Sequence, residues 1–554
     1  MKKRFLLIVI FFLSYTLFAA AQPKWFKKAR KAQITFMTYD ESGRLLHSTN
    51  GFFIDATGIA LTDYHSFRGA ARAIAIDEAG KEWPVRCIAG ANALYDVLKV
   101  QVQIPKNTFL TLGATNVIKD EEIYVMPYLS NKSGIATSAT VADVSMFYEL
   151  YAYYTLSVSM NEKSTSCPVM NAKGEVLGLL QMPSKASDTK SYAVSAPYAQ
   201  SFSISALSAT AADYRDIHIK KALPSDPSQA NSFIFLTGTR DTVLYRTYIE
   251  DYITLFPTEA NGYNLKAELL TSQNRFEEAE AAWDAGIAAK AREDELRFSR
   301  AQAIFQLAQQ PSQIPDNWTL DRAQQVLEAA IALNSQPVYE LLRAKLSYAQ
   351  KRYAEACEQF LALNRTNLRS ADNYLYAAQC QQMLHDTTAV LALQDSAVAC
   401  FTEPYVEAAA PALLMRATTL IGLKRYREAV RDLNSYEHLK SKELTANFYY
   451  QREQAEMQCR MYQQALSDIE RAIRMAPREP LYQAELAVLH FRFGQLDEAM
   501  AAARSAIALD EQFADAHRIL GVCLRQQGKE QEARTALQRA ADLGDEISKN
   551  LLSQ

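Results

Sequence analysis

From Ile34 to about Ile204 the apolar residues fall in short runs with β-type spacing: ITFMTY, GFFIDATGIALT, AIAID, VLKVQV, EEIYVMPY, YYTLSVSM, EVLGLLQM and SYAVSA, cut by Gly, Asn and Asp turns. Many short strands at that spacing predict an all-β barrel or sandwich. Leu223-Pro-Ser-Asp-Pro-Ser-Gln-Ala-Asn-Ser232 is polar and proline-bearing, and from about Thr242 to Gln554 nearly every segment repeats its apolar positions with a helical period. The pattern predicts a β domain over 22–208, a linker over 209–241 and a helical array over 242–554.

The helical half repeats itself. Ala465, Ala499 and Ala533 are 34 residues apart, as are Ala472, Ala506 and Ala540, Leu486 and Leu520, and Gly494 and Gly528. Toward the linker the same small anchor recurs at Ala429, Ala389, Ala356, Ala323 and Ala279, with insertions between, the longest holding Gln310-Pro-Ser-Gln-Ile-Pro-Asp. Small anchors fit antiparallel helices, which approach closely only where Gly or Ala faces the neighbour. With Ala465, Ala472 and Pro477, and with Leu520-Gly521, Gly528, Ala533 and Ala540, this half resembles tetratricopeptide repeats, about eight of them. The resemblance implies an α-solenoid whose concave face holds a protein or peptide partner.

The chain's start changes the picture of where it works. Met1-Lys-Lys-Arg4, an apolar run from Phe5 to Phe18 and Ala19-Ala20-Ala21 have the order of a secretory signal, so 1–21 is expected to be removed and the protein to be periplasmic or extracellular, with no later transmembrane span. Over 554 residues, 59 Lys and Arg stand against 62 Asp and Glu, a net charge of −3 that offers no basic excess for nucleic acid. Apolar residues at 49% and charged residues at 22% are ordinary for a globular chain. The seven cysteines are odd in number and lack CxxC or Cys/His ligand spacing, so no metal or other cofactor is expected. A bridge between Cys380 and Cys400 stays open, because sequence does not fix disulfide geometry.

Candidate chemistry lies in the β half. His65 follows the run Gly51 to Tyr64, Tyr95-Asp96-Val97-Leu98-Lys99-Val100 sets an acid before an apolar strand, and Lys163-Ser164-Thr165-Ser166-Cys167-Pro168-Val169-Met170-Asn171 precedes Gly174-Glu175-Val176. In order and spacing these blocks resemble the trypsin/chymotrypsin superfamily, nearest its HtrA-type (Deg-like) branch, which implies a two-barrel fold. The branch writes its first block as Leu-Thr-Asn-x-His and its third as Gly-Asn-Ser-Gly-Gly-Pro/Ala. On that resemblance His65 is the general base, Asp96 the residue that holds its tautomer, Thr165 stands at the nucleophile, and Lys163 and Thr165 supply the oxyanion-hole positions. The third block has lost its glycines. A hole there needs backbone N–H groups in a tight turn that Gly adopts readily and Lys or Cys poorly, and Thr restricts χ1 where the hydroxyl must meet the base.

The expectation is an exported protein-binding protein with a degenerate, inactive triad. The competing expectation is an active trypsin-like endopeptidase of envelope quality control whose repeats recruit substrate. Ser164 or Ser166 in a shifted turn, or a Cys167 thiolate, are its alternative nucleophiles.

Overall fold

A computed structural model describes residues 22–114, 117–182, 189–238, 242–310 and 314–553, so the signal expected over 1–21 lies outside the described residues, as does part of the insertion expected after Gln310. The chain divides into two compact units, one running to Leu296 and the other starting at Arg297.

The first unit opens with helix α1 (Phe26–Ala32) and continues into two closed six-stranded barrels. The first closes in the order β1 (Gln33–Tyr39), β2 (Leu45–Phe53), β3 (Ile59–Thr62), β6 (Val97–Val102), β5 (Glu82–Asn92), β4 (Arg72–Ile76). The second closes as β10 (Pro168–Asn171), β11 (Val176–Leu180), β12 (Ser191–Ser195), β9 (Tyr151–Leu156), β8 (Thr137–Phe147), β7 (Glu122–Val125). Closure removes every free strand edge, and alternate residues such as Ile34 and Phe36 on β1 turn inward and are fully buried. A second apolar cluster, built from Phe52, Leu61 and Val97 of the first barrel with Met170, Val176 and Val194 of the second, joins the two. The turn before β3 needs a glycine: Gly58 has φ +91°, and a Cβ there would lie 2.5 Å from the Val102 carbonyl oxygen.

Of the segment 209–241, expected as a linker, the described residues 209–238 are tied to the first barrel. The N–H of Ile88 donates to the Lys220 carbonyl and that of Ala222 to the Ile88 carbonyl, each at 2.8 Å, so this segment lengthens the sheet beside β5. Helices Pro227–Gly238 and Thr242–Leu255 follow, and Phe233, Tyr248 and Tyr252 join the core cluster of that barrel. Full burial of each such side chain contributes roughly 1.5–3 kcal/mol.

From Ala260 to Asp542 the described residues make eight helix pairs, followed by a last helix, Glu546–Ser553. The small anchor stands at the fourth position of the second helix in each pair, and Ala279, Ala323, Ala356, Ala429, Ala465, Ala499 and Ala533 are all fully buried. The fifth pair corrects the sequence register: Ala389 is half-buried, and Val390, fourth in helix Thr387–Val398, fills the position. An apolar side chain of modest size fits the same gap, so the anchor position is kept although the alanine is not. All seven cysteines, Cys380 and Cys400 included, are free. No helix among the described residues is long and apolar enough to cross a membrane.

Candidate functional site

Antiparallel pairing brings two of the three sequence blocks together. β3 pairs with β6 so that Thr62 lies opposite Leu98, which sets the residues just after β3 beside those just before β6. Thus Asp96 reaches His65 across 31 residues of chain: its Oδ1 accepts the His65 backbone N–H at 2.7 Å. Asp96 itself has φ +50°, a left-handed conformation costly for a non-glycine residue. Burial, then the charge of Asp63, raises its carboxyl above the ordinary aspartate range, and the N–H groups of His65 and Tyr64 partly offset this. The His65 side chain is exposed, and its ring centroid lies 5.6 Å from that of His47. Among the described residues no hydrogen bond joins the His65 ring to Asp96 or to Thr165.

The third block starts in a 3₁₀ turn over Glu162–Ser164, and Thr165 to Cys167 lead from it into β10. The Ser164 N–H donates to the Asn161 carbonyl at 2.9 Å and the Thr165 N–H to the Glu162 carbonyl at 3.0 Å. An oxyanion hole at this turn would use the Thr165 N–H, and the turn itself already holds that donor. Thr165 is 4% exposed, and its hydroxyl is buried with no hydrogen-bond partner. Ser164 Oγ donates to Asn161 Oδ1 at 3.3 Å, and Ser166 Oγ donates to Asp63 Oδ1 at 3.0 Å. Cys167 is fully buried, and that burial pushes its thiol well above the ordinary cysteine range, against the thiolate a nucleophile requires. The carbonyls of this turn are held from the first barrel: Asn50 Nδ2 donates to those of Lys163 and Thr165, each at 2.8 Å.

Asn50 and Asp63 are the residues that sequence reasoning missed. Both are buried on the first barrel, and both hold the 163–166 turn of the second. Asp63 accepts from Thr49 Oγ1, from the Ser66 N–H at 2.8 Å and from Ser166 Oγ. A signal for Asp63 was present, since it stands where the resembled block carries Asn, and a carboxylate accepts three donors where an amide would turn its own N–H₂ toward one of them. Asn50 gave none, because its partners are backbone carbonyls 113 and 115 residues away.

In the second unit, the pair formed by helices Ala446–Gln458 and Tyr462–Met475 has a polar interior. Arg452 donates to both oxygens of Asp468, at 2.6 and 2.9 Å, and to Glu437 at 2.6 Å. Beside it Glu453 and Glu456 are buried, each with one carboxyl oxygen lacking a partner. Burial pushes both carboxyls up to about 8, with Glu485 adding to the shift at Glu453 and Asp468 to that at Glu456. In the first unit, helices from Thr242 to Ala288 enclose a groove of about 600 Å³ lined by Ile249, Ile253, Tyr263 and Leu270 with Arg246 and Lys266 at its polar edge.

Two closed six-stranded barrels with His65 and Asp96 at their junction define a trypsin-like architecture, and the paired helices define a repeat solenoid. Comparison with known families agrees: residues 49–179 match the trypsin-like peptidase domain, and residues 454–512 and 501–546 match tetratricopeptide repeats. The chain therefore carries a trypsin-like peptidase domain followed by tetratricopeptide repeats. A solved HtrA-type protease with a tripeptide is similar at 14% identity, over 32% of this chain and 61% of that one, with a TM-score of 0.28. No curated protein matches.

Proposed function

We propose that this is an exported protein-binding protein of the cell envelope, a pseudoprotease whose repeats recruit a protein or peptide partner on their concave face. The observation that carries the reading is the state of Thr165: its hydroxyl touches no base and its N–H is spent on Glu162. Acyl transfer needs both, a nucleophile activated by its base and donors aimed at the developing oxyanion, and losing one such donor alone costs ~10²–10³ in rate. Export is supported by the basic start, the apolar run and the small residues ending at Ala21. N-terminal sequencing of the envelope-fraction protein should find Gln22 first, and a chain still starting at Met1 overturns the export reading.

The test of the pseudoprotease is hydrolysis of casein or a peptide library by the full chain. No activity dependent on His65 is expected, and Thr165→Ser alone should create none because the Thr165 N–H stays with Glu162. The second reading, an active endopeptidase, is favoured by the grip of Asp96 on the His65 turn. Hydrolysis by the wild type that disappears in His65→Ala establishes it and removes the first.

A further inference from the structure

Successive helix pairs of the array turn at residues with positive φ. In the last two pairs that residue is Gly494 or Gly528, whereas earlier turns carry Asn274, Lys351, His385, Lys424 (φ 58°) and Arg460 (φ 63°). The turns at Lys424 and Arg460 share one cleft of about 500 Å³, lined by Lys424, Arg425, Tyr426, Arg427, Glu428, Gln458, Cys459 and Arg460. Its single carboxylate is engaged: Arg425 holds both oxygens of Glu428, at 2.7 and 2.6 Å. Lys424, Arg427 and Arg460 are exposed, and among the described residues their side chains form no hydrogen bond or ion pair. Helix Tyr426–Lys440 starts in the cleft without a side-chain cap, which adds its positive end to the three free cations.

We propose that this cleft is a docking site for an acidic segment of a partner polypeptide, which places glutamate or aspartate carboxylates against Lys424, Arg427 and Arg460. Guanidinium forks match carboxylates in a two-point geometry, and a cleft of this size takes one or two acidic side chains. The chain's net charge of −3 supplies no broad positive field of the kind that gathers nucleic acid or an anionic membrane, so recognition is local. The site adds a contact at the turns of the array to the concave face named above, and it rests on the reading that the repeats recruit a polypeptide.

The full chain is titrated with labelled hexaglutamate, with hexaglutamine, inorganic phosphate and phosphatidylglycerol vesicles as comparison probes. Hexaglutamate should bind, weaken as salt rises, and lose about tenfold or more in affinity in Lys424→Gln/Arg427→Gln/Arg460→Gly, where glycine suits the turn. If the triple variant loses helicity by circular dichroism, Arg427→Gln alone is read, with a loss of about twofold to threefold expected. Affinity unchanged in these variants overturns the site, as does preference for phosphate or vesicles over the peptide. Hydrolysis is not scored, so the pseudoprotease is judged separately. A native partner captured equally by wild type and triple variant overturns the cleft while leaving recruitment by the repeats intact.

Discussion

At Thr165 a hydroxyl is buried without a partner, so the residue carries the desolvation cost of a polar group with no hydrogen bond in return. Thr165→Val, which keeps the shape and deletes the hydroxyl, should therefore leave stability within about 0.5 kcal/mol of wild type or raise it in urea denaturation. A threonine nucleophile would predict the opposite in an activity assay, so a single variant addresses both stability and chemistry. Asn50 behaves in reverse. Its amide satisfies two buried carbonyls of the turn, and Asn50→Ala should cost about 1–3 kcal/mol by the same measurement. A loss below a few tenths of a kcal/mol would mean that the turn holds itself and does not depend on the first barrel.

Among the elements, the strands read from the sequence were those with dense apolar character, and the three not read have specific reasons. β5 contains Pro84, β8 buries little beyond Val141 and so lacks a clear apolar alternation, and β10 starts at Pro168 inside the segment read as the nucleophile block. In the array the helix pair with the polar interior makes a prediction about pH. A glutamate in an unfolded chain titrates near ~4.3, whereas Glu453 and Glu456 in the folded repeat titrate near about 8. Between those values the folded repeat binds more protons than the unfolded chain, so its stability falls as pH rises. Amide exchange in helices Ala446–Gln458 and Tyr462–Met475 should accelerate from pH 6 to pH 9 beyond its intrinsic pH dependence, and Glu453→Gln with Glu456→Gln should flatten that excess. The groups facing the pair are Arg452, Asp468, Glu437, Arg471 and Glu485, and Arg452 keeps its charge throughout the range. An excess that persists in the double variant would place its source elsewhere.

For the whole molecule, the boundary that matters is not the one composition suggests. Cutting at residue 242 strips Tyr248, Ile249 and Tyr252 from the barrel core they complete. A fragment of residues 242–554 should therefore expose a sticky apolar face and aggregate at concentrations where the full chain stays monodisperse, as measured by size-exclusion chromatography. A fragment starting at Arg297, where the second compact unit begins, should behave better. Equal behaviour of the two fragments would show that the early helices do not depend on the barrel.

The two halves are legible in the chain alone, because a period of two and a period of 3.6 are written directly by which residues must avoid water, and a 34-residue repeat needs only local helix pairs to express it. The sequence also placed His65 and Asp96 in order, since strand pairing converts their spacing into proximity. Tertiary structure alone decided how the third block folds. The 3₁₀ turn at Glu162–Ser164 and the residues after it are held by Asn50 and Asp63 from the other barrel, and hydrogen bonds between residues more than a hundred positions apart leave no period in the chain. The free cations of the 424–460 cleft were equally illegible, because each is an ordinary surface residue until two turns of the solenoid stack side by side.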